Sequence, residues 1–178
     1  MIKLKDILLE GKPPSIFVPR RIEDRFERMI RLYIRNGNKG DLDLSDLKLT
    51  KLPEILKDIT VGGNFFCFNN NLTSLQGAPK SVGRDFYCGR NKLTSLDGAP
   101  SSVGGSFYCS GNNLTSLEGG PVKVGVDFYC SFNNLKSLTG APETVGGDFH
   151  CYQNSVKFTE DQVRAVSDVK GMVGVWLN

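Results

Sequence analysis

The feature that most constrains this fold is a 21-residue repeat marked by cysteine. The five cysteines lie at positions 67, 88, 109, 130 and 151, so neighbouring cysteines are always 21 residues apart. The segments around them are closely similar and read NFFCFNNNL, DFYCGRNKL, SFYCSGNNL, DFYCSFNNL and DFHCYQNSV. A repeat of fixed period predicts a solenoid, in which each copy forms one rung and buries its apolar residues against its neighbours.

Each copy contains a short alternating segment that predicts a parallel β-strand. Successive side chains of a strand point to opposite faces, so we expect Phe86 and Cys88 inside and Asp85 and Tyr87 outside. In-register stacking then forms interior columns of phenylalanine and of cysteine, the latter reduced and acting as small buried hydrophobes. It also forms a ladder of asparagines that bond backbone groups where the chain leaves the strand: Asn70, Asn91, Asn112, Asn133 and Asn154.

Turn residues recur at fixed positions between the strands. Gly98, Ala99 and Pro100 typify the turn that follows Leu-Thr-Ser-Leu, and a Val-Gly segment precedes each strand, where we expect the glycines to turn the chain. A degenerate copy from Gly40 places Leu42 and Leu44 where later copies have Phe and Cys.

Both ends of the repeat array carry segments that predict caps, because a solenoid would otherwise expose apolar rungs. Residues 20–39 contain an amphipathic helix with an Arg-rich polar face. At the other end, Thr159 and Gln162 form a capping box before a short helix with Val163 and Val166, and MVGVWLN offers a strand with Trp176 as a lid. The apolar face of the first helix contains Ile22, Phe26, Met29, Ile30, Tyr33 and Ile34.

The repeat F-x-C-x-x-N-x-L resembles the LxxLxLxxNxL consensus of the leucine-rich-repeat family, over residues 40–156. The short period is most similar to the subtype found in bacterial effectors. This resemblance implies a β-rich member of the α/β horseshoe class, with one short parallel strand per rung. We therefore expect a leucine-rich-repeat solenoid over 40–156 with one degenerate and five regular rungs, a capping helix over 20–39, and a helix-plus-strand cap over 157–178.

The first ten residues, MIKLKDILLE, differ from the rest and are followed by a linker over 11–19 that begins Gly-Lys-Pro-Pro. They resemble the capsid-targeting leader of internal head proteins in T4-like tailed phages, which ends in a Leu-x-Glu processing site. The resemblance implies a processing site made up of Leu8, Glu10 and Gly11, with cleavage between Glu10 and Gly11. The alternative is an ordinary N-terminal helix that packs on the cap or frays.

Composition excludes several classes of protein. A net charge of +3, with the arginine excess in one N-terminal segment, does not favour nucleic-acid binding. No apolar run approaches the ~18 residues of a membrane span, and no secretory signal is visible, so we expect production in the cytoplasm. The resemblance of the first ten residues to a capsid-targeting leader implies packaging in the phage head.

The strongest candidate binding surface is the outward aromatic column, expected on the concave face. Variable neighbours Phe68, Arg90, Phe132, Tyr152 and Gln153 would distinguish partners. The alternative is that stacked aromatics only stabilise adjacent strands. The column consists of Phe66, Tyr87, Tyr108, Tyr129 and His150.

Metal binding and catalysis have little support in the sequence. Asp85 and Asp127 are two rungs apart, too far to share calcium, and evenly spaced interior cysteines do not converge on zinc. His150 and Cys151 point to opposite strand faces, and no glycosidase pair or phosphate-binding loop is recognisable. We therefore expect no cofactor and no enzymatic activity. The expected partner is a protein, from the host or the virion. The alternatives are a carbohydrate-binding or carbohydrate-active protein and a purely structural component of the virion.

Overall fold

Two parallel sheets, rather than one, line the repeat. The computed structural model describes residues 2–3 and 22–175, with side chains from residue 27 onward. The first sheet has eight strands in the order β1-β2-β4-β6-β8-β10-β12-β14, and the second has six in the order β3-β5-β7-β9-β11-β13. The chain is thus a parallel β-solenoid, in which each repeat adds one strand to each sheet.

The strands are all two residues long, and from β2 onward they alternate between the two sheets along the chain. The first sheet comprises β1 (Ile2–Lys3), β2 (Leu42–Asp43), β4 (Phe65–Phe66), β6 (Phe86–Tyr87), β8 (Phe107–Tyr108), β10 (Phe128–Tyr129), β12 (Phe149–His150) and β14 (Val173–Gly174). The second comprises β3 (Thr60–Val61), β5 (Ser81–Val82), β7 (Ser102–Val103), β9 (Lys123–Val124), β11 (Thr144–Val145) and β13 (Asp168–Val169). Helices are α1 (Ile22–Arg35), a 3₁₀ turn (Glu54–Leu56) and α2 (Glu160–Arg164).

The register of the first sheet confirms the predicted columns. Phe86 pairs with Phe65 on one side and with Phe107 on the other, and Leu42 pairs with Phe65 as the degenerate copy predicts. The phenylalanine and cysteine columns are almost entirely buried, and the leucines of the LTSL segments complete the same core. Burial of each such side chain contributes about 1.5–3 kcal/mol, so the core stabilises the solenoid along its whole length.

The second sheet corrects the expectation of one strand per rung. The Val-Gly segments are strands that place Val82 and its counterparts in the core, not simple turns. Their glycines serve close packing between rungs: a Cβ on Gly83 would lie 2.7 Å from the carbonyl oxygen of Gly62. The Gly-Ala-Pro segments are turns as expected, since Gly98 has a φ of 92°.

The asparagine ladder is confirmed. The side-chain amide of Asn112 donates to the carbonyl oxygens of Cys88 and Cys109, and its oxygen accepts from the N–H of Leu93 at 3.1 Å. Each asparagine therefore joins its own rung to the preceding one. Asn70, Asn91, Asn133 and Asn154 make equivalent bonds.

Helix α1 packs one face on the start of the core. Ile30 is fully buried, and Met29, Tyr33 and Ile34 pack around the same cluster. The Tyr33 hydroxyl donates to the carbonyl oxygen of Asn38 at 2.9 Å. Of the ten-residue segment predicted as a leader, Ile2–Lys3 is described, and it forms β1 of the first sheet and not the helix of the alternative interpretation. Met1, residues 4–19, the side chains of Ile22 and Phe26, and Trp176 lie outside the described residues.

At the C-terminal end, the predicted capping box is present. The Thr159 side chain accepts from the N–H of Gln162, and the Gln162 side chain accepts from the N–H of Thr159. Val163 is buried, but Val166 is 49% exposed because α2 already ends at Arg164, so the expected helical position of Val166 is wrong. Strands β13 and β14 then extend both sheets by one further rung.

Candidate functional site

The five predicted aromatic residues form one continuous stack on the outer face of the first sheet. Neighbouring ring centroids are 4.8, 4.3, 4.5 and 4.5 Å apart, with interplanar angles of 5° to 16°. All five side chains are half-buried. Since each inner ring has a neighbour on both faces, the stack presents ring edges to solvent. We call this set the aromatic column: Phe66, Tyr87, Tyr108, Tyr129 and His150.

A second polar ladder lies beside the aromatic column, one residue before the buried Phe, or Leu42 in the degenerate copy, that begins each repeat's strand in the first sheet. The Asp85 carboxylate accepts from the N–H of Ser106 at 2.8 Å, and the Ser106 hydroxyl accepts from the N–H of Asp127 at 3.1 Å. The Asp127 carboxylate in turn accepts from the backbone N–H of Asp148 at 2.8 Å. We call it the outer ladder: Asp41, Asn64, Asp85, Ser106, Asp127 and Asp148.

The outer ladder gives the aspartates a structural role that sequence reasoning missed. The repeated polar residue at this position was the available signal, because Asp, Asn and Ser all accept a hydrogen bond from the next rung. Within the part of the chain that the structure describes, no group of three or more His, Cys, Asp or Glu residues is arranged to hold a metal ion.

Hydroxyl groups of the aromatic column bond to the outer ladder. Tyr87 donates to Asp85 at 3.0 Å, and Tyr129 donates to Asp127 at 3.2 Å. Burial and the adjacent Asp127 carboxylate raise the pKa of Tyr129 to about 12, and burial with Asp85 raises the pKa of Tyr87 further. Both phenols are therefore neutral near pH 7, and each is held in a fixed orientation.

The variable neighbours fall into two separate columns. Phe68 and Tyr152 directly follow the buried cysteine, whereas Arg90, Phe132 and Gln153 lie one residue further on. The three in the second column have φ values of 52° to 56°, in the left-handed region. That conformation costs an L residue about 1–2 kcal/mol, and Gly111 occupies the same column at no such cost.

The structure brings two of the variable residues to the C-terminal end of the aromatic column. Phe132 is 51% exposed and Tyr152 is 36% exposed, and their rings meet edge to face with centroids 5.4 Å apart. Tyr152 also meets His150 edge to face at 6.4 Å. Arg90 is exposed but lies two rungs away from Phe132, so it is not part of this group.

The cysteines and the histidine are placed on opposite sides of the strand. Cys151 is buried while His150 lies in the outer stack, as the alternation predicts. Burial raises the pKa of the Cys151 thiol to about 11, so it is protonated near pH 7 and a weak nucleophile.

Comparisons with known proteins gave no relative from which a function could be transferred. No protein-family model matches the chain, and no curated protein is similar to it. None of the helices in the described part of the chain has the length and apolar character needed to cross a bilayer.

Proposed function

We propose that this protein is a non-enzymatic, protein-binding repeat protein that engages its partner through the outer face of the first sheet. The observation that carries the proposal is the aromatic column, a row of half-buried rings held rigid by stacking and by bonds to the outer ladder. Aromatic side chains that are already ordered lose little entropy on binding. Tyrosine and other large aromatics are also enriched in the centres of protein interfaces.

The stacked geometry favours a protein partner over a glycan. A sugar ring packs against the open face of an aromatic ring, but Tyr108 has Tyr87 on one face and Tyr129 on the other. Ring edges and hydroxyl groups remain available, and these suit the mixed apolar and polar surface of a protein. We expect glycan-array signals to be absent or unaffected by Tyr108→Ala; binding lost in that variant would favour the glycan alternative.

Affinity capture from a lysate of the producing cells tests the proposal. We expect the wild type to enrich a partner that the triple variant Tyr87→Thr, Tyr108→Thr and Tyr129→Thr fails to enrich. Threonine keeps the strand propensity of these positions. A matched triple alanine variant on the second sheet, at Ser81, Ser102 and Thr144, should retain the partner. Equal recovery with all three proteins would contradict the proposal, provided that their circular dichroism spectra agree.

We further propose that the chain is a phage-encoded relative of the leucine-rich-repeat proteins, packaged in the virion head and trimmed after Glu10. The consensus spacing and the MIKLKDILLE segment support this origin. Mass spectrometry of purified virions tests it: we expect a mature N-terminus at Gly11. An intact N-terminus within particles, or absence of the protein from them, would contradict it. A fixed stoichiometry and an ordered position in a capsid map would favour the structural alternative.

A further inference from the structure

At the C-terminal end of the aromatic column, rings meet edge to face as well as in parallel stacks, and three rings from two rungs are in contact there. At the N-terminal end a single edge-to-face pair, Phe66 and Phe68, meets at 76°. Phe132 and Tyr152 meet at 80°, and Tyr152 and His150 meet at 88°, whereas His150 stacks on Tyr129 at 5°. An edge-to-face contact covers only one ring face of the pair, and Phe132 and Tyr152 are 51% and 36% exposed. We call Phe132, His150 and Tyr152 the aromatic corner.

Phe132 occupies a position where phenylalanine does not serve the fold. Its φ of 55° is unfavourable for a bulky L residue, and its side chain is 51% exposed, whereas the phenylalanines of the interior column are fully buried. In the preceding rung Gly111 adopts the same conformation with a φ of 73°. The fold therefore does not require phenylalanine here, and the exposed ring is available to contact a binding partner.

Tyr152, in the neighbouring column, is likewise larger than the fold requires. Its counterparts in the two preceding rungs are Ser131 and Ser110, and Gly89 precedes them. Serine or glycine thus satisfies the backbone at this position. A tyrosine in contact with Phe132 and His150 adds exposed aromatic surface without filling the core.

Acidic groups accompany the aromatic corner. In the two rungs that form it, seven side chains of the outer ladder, the aromatic column and the two variable columns are half-buried or exposed, with two carboxylates and no lysine or arginine among them. One carboxylate, Asp148, lies 4.0 Å from His150 Nε2. This local charge opposes the net charge of +3 of the whole chain. The seven are Asp127, Tyr129, Phe132, Asp148, His150, Tyr152 and Gln153, whereas Ser131 is buried.

We propose that the aromatic corner binds the side chain of an arginine or a lysine of the protein partner. A cation is attracted to the face of an aromatic ring within about 6 Å of its centroid, and the two carboxylates favour the same charge. Acidic and neutral side chains would lack both attractions. This inference deepens the proposed protein-binding function and rests on it for the source of the cation.

An NMR titration of the full-length protein tests the site directly. The probe is the acetylated and amidated peptide Gly-Arg-Gly-Gly-Arg-Gly, and its control replaces arginine with citrulline, which has a similar shape and no charge. We expect shifts in the ring signals of Phe132 and Tyr152 with the arginine peptide and binding about fivefold weaker or absent with citrulline. Equal binding of both peptides would overturn the proposal.

Variants copied from other rungs separate binding from folding. Phe132→Gly copies Gly111 and Tyr152→Ser copies Ser131, so we expect the double variant to remain folded but to bind the arginine peptide at least about fivefold more weakly. Phe132→Asn, which copies Asn69, is the second variant should the first lose its fold. Unchanged affinity in a folded variant would overturn the proposal.

Partner capture then distinguishes the two claims. If the wild type captures a partner through the aromatic column but the Phe132 and Tyr152 variants capture it equally well, the aromatic corner is wrong and the protein-binding function stands. If the arginine peptide binds at the corner but no partner is captured by the wild type, the corner stands as a cation site and the proposed function fails.

Discussion

At the scale of single residues, the outer ladder determines which residue the next rung can place beside it. Where the ladder has Asp127, the next rung has Gly147; where it has Ser106, the next rung has Val126. A Cβ on Gly147 would collide with a carboxylate oxygen of Asp127, with backbone atoms no closer than 3.1 Å. The shorter serine leaves room for a side chain. The same pairing of aspartate with glycine recurs at Asp41 and Gly63, Asp85 and Gly105, and Asp148 and Gly171.

Gly147→Ala tests this steric coupling. We expect the single substitution to lower the free energy of unfolding by about 1–3 kcal/mol, the usual cost of overpacking. Combined with Asp127→Ser, which reproduces the environment of Val126, the same substitution should cost at least about 1 kcal/mol less. Urea denaturation of the wild type, both single variants and the double variant provides the measurement. Additive effects of the two substitutions would mean that the carboxylate does not dictate the glycine.

At the scale of secondary-structure elements, helix α2 closes the open edge of the second sheet with one side chain. In the preceding rung, Val145 and Gly147 accept hydrogen bonds from backbone N–H groups of the next rung. Their counterparts at the edge are Val169 and Gly171, and the Arg164 guanidinium donates to both carbonyl oxygens, at 2.9 and 3.1 Å. Arg164 thus replaces two donors of a missing rung and covers an edge that could otherwise pair with another chain.

Arg164→Met removes this closure while keeping the aliphatic part of the side chain. We expect the free energy of unfolding to fall by about 1–3 kcal/mol, since two hydrogen bonds from a charged donor are lost. We also expect self-association in sedimentation velocity, because the edge carbonyls become available for pairing.

Arg31→Met is the matched control for this substitution. Arg31 forms an ion pair with Glu27 four residues earlier, as Arg164 does with Glu160, but Arg31 is on an exposed helix face. An exposed ion pair contributes about 0–1 kcal/mol, so this variant should sediment like the wild type and be nearly as stable. If both variants behave alike, the carbonyl bonds of Arg164 have no special role.

The elements also show why the sequence predicts one sheet and not the other. Phe86 and Cys88 alternate with polar or half-exposed residues, and a fixed asparagine follows, so the first strand has a readable pattern. The second strand is only Ser81–Val82, followed by glycine, and one buried valine cannot reveal a period. Likewise, no sequence pattern indicated that Phe132 and Tyr152 would meet, because they occupy different columns of adjacent rungs.

At the scale of the whole molecule, the cysteine column makes the free energy of unfolding depend on pH in the alkaline range. The five thiols are free and buried, and burial raises the pKa of each one. Folded thiols therefore keep their protons at a pH where the unfolded chain loses them, above about pH 9. Since unfolding then releases protons, the stabilisation present below that pH is lost as the pH rises toward the folded values.

We expect the free energy of unfolding to fall between pH 9 and 10, with a slope to which each fully buried cysteine contributes roughly 1 kcal/mol per pH unit. Urea denaturation at several pH values measures the slope.

Cys109→Ala should lower the free energy of unfolding at pH 7, because side-chain volume and the bond to the Tyr129 carbonyl are lost. It should also make the alkaline slope shallower by the contribution of one cysteine. Cys88→Ala and Cys109→Ala together should remove the contributions of two cysteines. Because tyrosines titrate equally in all of these proteins, the difference in slope reports the thiols alone. An unchanged slope in the double variant would mean that the cysteine column is not protected from ionisation by the fold.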